Sequence, residues 1–202
     1  MVKVEGIYKG FCRVGQELLL DERGFSLIAG NKEKFFSGLD EDIDFSVFLR
    51  HVKWIEENEP EGYTFINLKP ATFIRYYREI GEVVKGKVVV ELREDHITER
   101  ELEKIVYIRE EFPFLLSLDD FGRSSSNLDR LIALKPNFVK IDMSLFSDSG
   151  SLLTFTNFLR SYSGQAVLVA EKVETERELR MARGAGIELW QGYLERDLTF
   201  TT

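Results

Sequence analysis

The sequence predicts an α/β fold in which strands and helices alternate and close into a (β/α)8 barrel with an antiparallel N-terminal strand. Three observations carry this expectation. From Tyr63 onward, β-branched or aromatic runs ending in polar residues recur: Tyr63 to Asn67, Val88 to Glu91, Phe114 to Asp119, Phe138 to Asp142, Ala166 to Glu171 and Glu188 to Gln191. Between these runs the apolar residues follow a helical period, as Leu102, Ile105, Val106 and Ile108 do within Glu99 to Glu111. The runs are also nearly continuous in apolar residues (Val88, Val89, Val90), as in parallel strands covered on both faces.

The elements follow in order. Val2 to Tyr8 reads as a first strand that turns at Lys9-Gly10 into a second, Phe11 to Leu20. That is an antiparallel hairpin, unlike the start of a regular TIM barrel. The acidic stretch Leu39 to Asp44 reads as a solvated loop between two helices. Strand then alternates with helix, which indicates βαβ units and a parallel sheet. Thr98 stands three residues before Glu101, and Thr175 three before Glu178, the spacing of capping boxes at helix starts. Six such units after two shorter strands fit a TIM-like barrel better than an open sheet. No Pro/Gly/Ser-rich linker interrupts the chain, so a single barrel domain over 1–202 is expected.

Composition narrows the function classes. The chain has 202 residues, 44% hydrophobic and 31% charged, the profile of an ordinary globular protein with a sizeable core. A net charge of -8 argues against DNA or RNA binding, which needs a basic footprint. It leaves room for a small anionic ligand where bound cations reverse the local field. The single cysteine, Cys12, excludes an internal disulfide and suits a reducing compartment. The N-terminal segment has no apolar h-region, and no apolar run is long enough to span a bilayer. A cytoplasmic protein without a membrane span is expected.

The polar residues that end the strands carry the chemistry. Glu17, Asn67, Glu91, Asp119, Asp120, Lys140, Glu171 and Gln191 fall at or near carboxyl ends, which in a β/α barrel meet at the face where active sites form. At least five carboxylates are thereby directed into one mouth. Two like charges about 4 Å apart repel by roughly 4 kcal/mol at an effective dielectric near 20. Such a group takes up protons, holds cations or is spread further apart than the strand ends imply, and oxygen ligands favour hard cations such as Mg²⁺, Mn²⁺ or Ca²⁺. Asp119 and Asp120 are adjacent, so on a strand they point to opposite faces and share a site only where the strand is ending. His51 and His96 fall in helical or loop positions and end no strand.

These motifs resemble those of a known family. SLDDFGRSSSNL, FVKIDMSLF and VAEKVET with WQGYL are similar to the DDFGTGYSSL, LKIDRSF and AEGVET with QGYL motifs of the EAL domain family. FINLKP and VELRE resemble its VNLSP and EITE, and GQELLL is a weaker counterpart of Glu-Ala-Leu, with Leu18 for alanine. The resemblance implies a phosphodiesterase that linearises cyclic di-GMP to pGpG with two Mg²⁺ or Mn²⁺ ions. It implies that Glu17, Asn67, Glu91 and Asp119 hold one ion, and that Asp119, Asp120 and Glu171 serve the second. Lys140 would stand beside the nucleophilic water, Glu94 would hold the loop after its strand, and Glu174 and Gln191 would support the metal and water shell. Two-metal activation of water is the chemistry such a set supplies. A homodimer is left open.

The sequence departs from the family in the residues that grip substrate. Asp21 and Met143 stand where the family has arginines, and Glu195, Arg196, Asp197 and Leu198 give no match to its Arg-Pro. The Gln-Pro of its first strand is absent. Thr-Gly-Tyr after the paired aspartates becomes Arg123-Ser124-Ser125, and the glycine of Ala-Glu-Gly-Val-Glu becomes Lys172. An arginine fork makes bidentate phosphate contacts that aspartate or methionine cannot replace. Three functions therefore compete: a phosphodiesterase of cyclic di-GMP or a related cyclic dinucleotide, a degenerate EAL domain acting as receptor or interaction module, and a metal-dependent hydrolase of another phosphate ester.

Overall fold

The computed structural model describes residues 2–21, 23–25, 40–93, 95–122 and 128–195. Eight strands close into a barrel in sequence order. β1 (Val2–Lys9) pairs antiparallel with both β2 (Cys12–Leu20) and β8 (Leu189–Trp190), and every other pairing is parallel. The intervening strands are β3 (Tyr63–Leu68), β4 (Val88–Leu92), β5 (Leu115–Phe121), β6 (Phe138–Asp142) and β7 (Val167–Glu171). The helices between them are α1 (Glu41–Asn58), α2 (Pro70–Arg75), α3 (Tyr77–Val83), α4 (Glu99–Glu111), α5 (Leu128–Leu134), α6 (Ser149–Ser163) and α7 (Glu176–Gly184). The expected barrel and its antiparallel N-terminal strand are both present, and Gly10 turns the hairpin in the left-handed region at φ 64°. Of the eight strands, β8 is the shortest, two residues long, which is why its sequence signal is weak.

Local chemistry explains the helix ends. Thr98 and Thr175 each accept the N–H of the residue three positions on, while Glu101 and Glu178 reach back, so both capping boxes form. The expected acidic loop is corrected. Asp40 caps α1 by accepting from Ile43 N at 2.8 Å, and Glu41, Asp42 and Asp44 lie in its first turn. Carboxylates there meet the positive end of the helix dipole, so Asp40 to Asp44 start a helix, while Leu39 lies outside the described residues. Asp44 is buried and accepts from Lys69 N at 2.9 Å, which ties α1 to the end of β3. The buried positions Asp44, Val47, Phe48, His51 and Val52 follow the i, i+3, i+4, i+7 stripe of a helix laid on a sheet.

The barrel has two apolar layers, separated by the alternation of side chains along each strand. One phase faces outward and packs under the helices: Ile66, Leu68, Val90, Leu92, Leu116, Val139, Ile141, Leu168, Ala170 and Trp190 meet helix residues such as Phe48, Ile105, Leu131, Leu152 and Leu179. The other phase faces inward, where Ile7, Phe65, Val89, Phe138 and Val169 form an apolar plug with Val14, Leu115 and Leu189. Phe65 and Phe138 meet edge to face with centroids 5.0 Å apart. Burying each such side chain stabilises the fold by about 1.5–3 kcal/mol. This plug is the floor of the site.

Candidate metal centre

Two residues along each strand from the plug, the inward phase turns polar. Phe65 is followed by Asn67, Val89 by Glu91, Phe138 by Lys140, Val169 by Glu171 and Leu189 by Gln191. On β5 the same phase runs Leu115, Ser117, Asp119, and on the antiparallel β1 it runs back from Ile7 to Glu5. Glu17 pairs across the ladder with Glu5 on one side and Phe65 on the other. A single register thus places a ring of polar groups on an apolar floor.

Lys140 stands at the centre of that ring with no exposed surface. Its Nζ lies 2.6 Å from Glu91 Oε1, 2.8 Å from Glu171 Oε1, 2.9 Å from Glu17 Oε2 and 3.9 Å from Asp119 Oδ1. Gln191 Nε2 donates to Glu17 Oε2 at 2.6 Å and to Glu5 Oε2 at 3.2 Å, and Asn67 donates to Glu17 Oε1. Above these groups opens a cavity of about 300 Å³, lined by Glu5, Glu17, Asp119, Asp120, Glu171, Lys172, Glu174, Gln191, Gly192 and Tyr193.

Four carboxylates around one ammonium leave the ring with excess negative charge. Burial pushes Glu91 and Glu171 well above the usual carboxylate range, against the pull of Lys140. Burial opposes ionisation of Asp119 too, but Lys140, hydrogen bonds from Glu91 and Glu171 and the Asp120 N–H hold it below its usual value. Lys140 is held well above its own, because its acidic neighbours outweigh the cost of its burial. Burial and mutual repulsion thus oppose full ionisation of these acids, and the Lys140 ammonium offsets part of their charge.

Asp120 reaches the site by a different route. It is out of phase with Asp119, and the β5–β6 register shifts between Leu118 and Phe121. Its backbone is left-handed at φ 43°, a conformation that costs a non-glycine residue on the order of 1 kcal/mol. Lys172, following Glu171, is left-handed as well, at φ 55°. Its Nζ donates to Asp120 Oδ1 at 3.0 Å and to Asp142 Oδ2 at 2.5 Å. Burial works against that ammonium, but Asp142 and Asp120 hold it in the charged form.

The donor set fits divalent cations. Glu17, Glu91 and Glu171 each offer an oxygen within 4.8 Å of the others, as do Asp119, Asp120 and Glu171. Glu91 is wholly buried, and the Lys140 ammonium meets its Oε1 at 2.6 Å as an ion pair without hydrogen-bond alignment. Buried carboxylate oxygens left in this way are suited to a metal ligand's role.

Most of the expected residues are brought together: Glu17, Asn67, Glu91, Asp119, Asp120, Lys140, Glu171 and Gln191 all belong to the ring or its rim, and Glu174 lines the cavity at its edge. Glu94 and the segment Arg123-Ser124-Ser125 lie outside the described residues, as do Arg196, Asp197 and Leu198. The loop that follows β4 is held, among the described residues, by Arg130, which donates to the carbonyls of Arg93 and Asp95. Met143, in the place of a family arginine, is buried in the outer core. Glu195 accepts from Gly6 N at 3.1 Å, and Asp21 accepts from Gly24 N at 2.7 Å. Two acidic residues of the site were missed in the sequence, Glu5 and Asp142. Counting in twos from Ile7 and Lys140 finds both.

The fold and the site define a class of domain, a closed β/α barrel whose carboxyl-end mouth is ringed by carboxylates around a buried lysine. The EAL domain family model matches residues 34–195, and the chain belongs to that family. Glu17 precedes the matched stretch and joins the site through the β2–β3 pairing. The chain is 26% identical over 171 residues to a protein of Escherichia coli (strain K12) named probable cyclic di-GMP phosphodiesterase PdeA, covering 75% of the chain and 23% of that protein. It is 38% identical over 85 residues to probable cyclic di-GMP phosphodiesterase PdeD of the same organism, covering 39% of the chain and 16% of that protein. The chain thus spans less than a quarter of the length of these relatives. Among solved structures, the manganese and cyclic di-GMP complex of Klebsiella pneumoniae BlrP1 at pH 9.0 has a TM-score of 0.78 at 19% identity, covering 96% of the chain and 54% of BlrP1. That likeness shows a shared fold.

Proposed function

We propose that this barrel is a metal-dependent phosphodiesterase that hydrolyses cyclic di-GMP to linear pGpG. The observation that carries the reading is the wholly buried carboxylate of Glu91, paired with Lys140 within a ring of Glu17, Asn67, Asp119 and Glu171. Glu17, Asn67, Glu91 and Asp119 would hold one divalent ion, Mg²⁺ or Mn²⁺, and Asp119, Asp120 and Glu171 a second. Such ions supply acidification of water and neutralisation of charge on a phosphoryl group.

The chain's own residues do the rest. Lys140 fixes the orientation of three carboxylates at once and offers an ammonium toward charge developing at phosphorus. Gln191 and Asn67 each donate to Glu17, so its two oxygens keep a set direction. Glu174 lines the cavity edge, where it can accept a proton from water. A cytoplasmic location goes with the reading, because Cys12 is the sole cysteine.

A second reading, an EAL domain that binds cyclic di-GMP without turning it over, is favoured by two observations: Met143 is in the core where a family arginine is expected, and Asp21 replaces another. Incubation with cyclic di-GMP and Mn²⁺, followed by chromatography for pGpG, separates the two. Turnover lost in Glu17→Ala and Asp119→Ala supports the enzyme, whereas calorimetric binding without product supports the receptor.

A further inference from the structure

The second group of candidate ligands is already partly engaged. Asp119, Asp120 and Glu171 can bring oxygens within 4.8 Å of one another, and the Lys172 ammonium lies 3.0 Å from Asp120 Oδ1. The same ammonium is anchored on Asp142 Oδ2 at 2.5 Å, and Asp142 itself is buried and accepts from Ser144 N at 2.8 Å. Lys172 is the only basic residue among the described residues that line the cavity. Both ends of the Lys172–Asp120 pair stand on left-handed backbone, so two uncommon conformations aim the two charges at each other. The lysine is covalently tied to Glu171, one of the three candidate ligands, and cannot diffuse away as a free ion does.

We propose that Lys172 is a tethered cation standing in for the second divalent ion, so that the chain takes one divalent ion tightly and a second only after Lys172 is displaced from Asp120. The inference rests on the metal-centre reading given above. An ammonium beside Asp120 neutralises one of the three carboxylates and, at contact distance, repels a divalent charge arriving at the same oxygens. The first group, Glu17, Asn67, Glu91 and Asp119, is untouched by Lys172 and keeps its capacity.

Manganese alone is the probe. Calorimetric titration with Mn²⁺ is run on the wild type, Lys172→Met, which keeps the stem and loses the charge, and Lys172→Gly, which also suits the left-handed backbone. Electron paramagnetic resonance follows on the same samples, since two ions in adjacent sites show spin coupling and a single ion does not. The expected wild type binds one equivalent tightly and gives the spectrum of an isolated ion. Both variants should bind a second equivalent about 10- to 100-fold more strongly than the wild type does and show coupling. Adding Asp120→Asn to Lys172→Met should abolish that gain.

Two tight, coupled ions in the wild type would overturn the inference while leaving the metal centre intact. An unchanged second affinity in both variants would overturn it in the same way. Absence of Mn²⁺ binding in wild type and variants alike, with circular dichroism showing native folds, would overturn the metal-centre reading and the inference together.

Discussion

Lys140 Nζ lies 2.6 Å from Glu91 Oε1, and neither side chain has exposed surface. The two come from β6 and β4, which are not neighbours in the barrel, so the contact crosses its interior above the Phe65 and Phe138 plug. An ammonium holding that place among four carboxylates is at once a structural element and a marker of where positive charge belongs.

Replacing it should expose the debt of the ring. Lys140→Met is expected to destabilise the metal-free protein by about 3–5 kcal/mol, the usual cost of removing one partner from a buried ionic group. Millimolar Mn²⁺ should return part of that loss by binding the folded state. Urea unfolding with and without Mn²⁺ reads both effects. An equal loss in the two conditions would mean that Lys140 acts through packing alone.

The fold and the site differ in how much of each the sequence discloses. Strands β3 to β7 are legible because their outward phase is apolar under the helices and their inward phase is apolar at the floor, leaving continuous runs such as Val88 to Val90. The strand-end residues are legible because the polar switch falls at the same step on each strand. Asp40 to Asp44 misleads, because acids at a helix start and acids in a loop look alike until the capping contact is known. Glu5 escapes notice because β1 runs the other way, so its polar residue precedes the apolar one. Asp120 reaches the mouth only through a backbone turn that alternation does not foresee.

Acid should weaken the fold through α1. His51 is buried, and burial pushes its imidazole from 6.5 down to about 4. The unfolded chain then binds a proton over the window from 6.5 to about 4 that the folded chain refuses. The stabilisation is complete above the unfolded value and is lost as pH falls, by at most about 3 kcal/mol. His51→Leu should flatten the thermal stability profile across that window. A profile with the same slope in the variant would remove His51 from the account.

The turn that carries Gln191 should tolerate no side chain at its glycine. Gly192 sits at φ 152°, and a Cβ there would come within 2.3 Å of Val173 N and 2.4 Å of Val173 O. Val173 N donates to the Gln191 carbonyl at 3.1 Å, so the clash falls on the contact that positions Gln191. Gly192→Ala is expected to cost about 1–3 kcal/mol, as overpacking does, and to weaken Mn²⁺ binding as well. Chemical denaturation and calorimetry check the pair.

The most direct test of the central claim, that the carboxylate mouth holds divalent cations, is calorimetric titration of Mn²⁺ into the wild type and Glu91→Gln. Glu91→Gln keeps the size of the side chain and removes a capacity for charge that burial already opposes, so its metal-free form should keep the native fold by circular dichroism. Its Mn²⁺ affinity should fall by about 100-fold, or roughly 2.7 kcal/mol. A wild type that binds no Mn²⁺, or a variant that binds it as well as the wild type, would contradict the account.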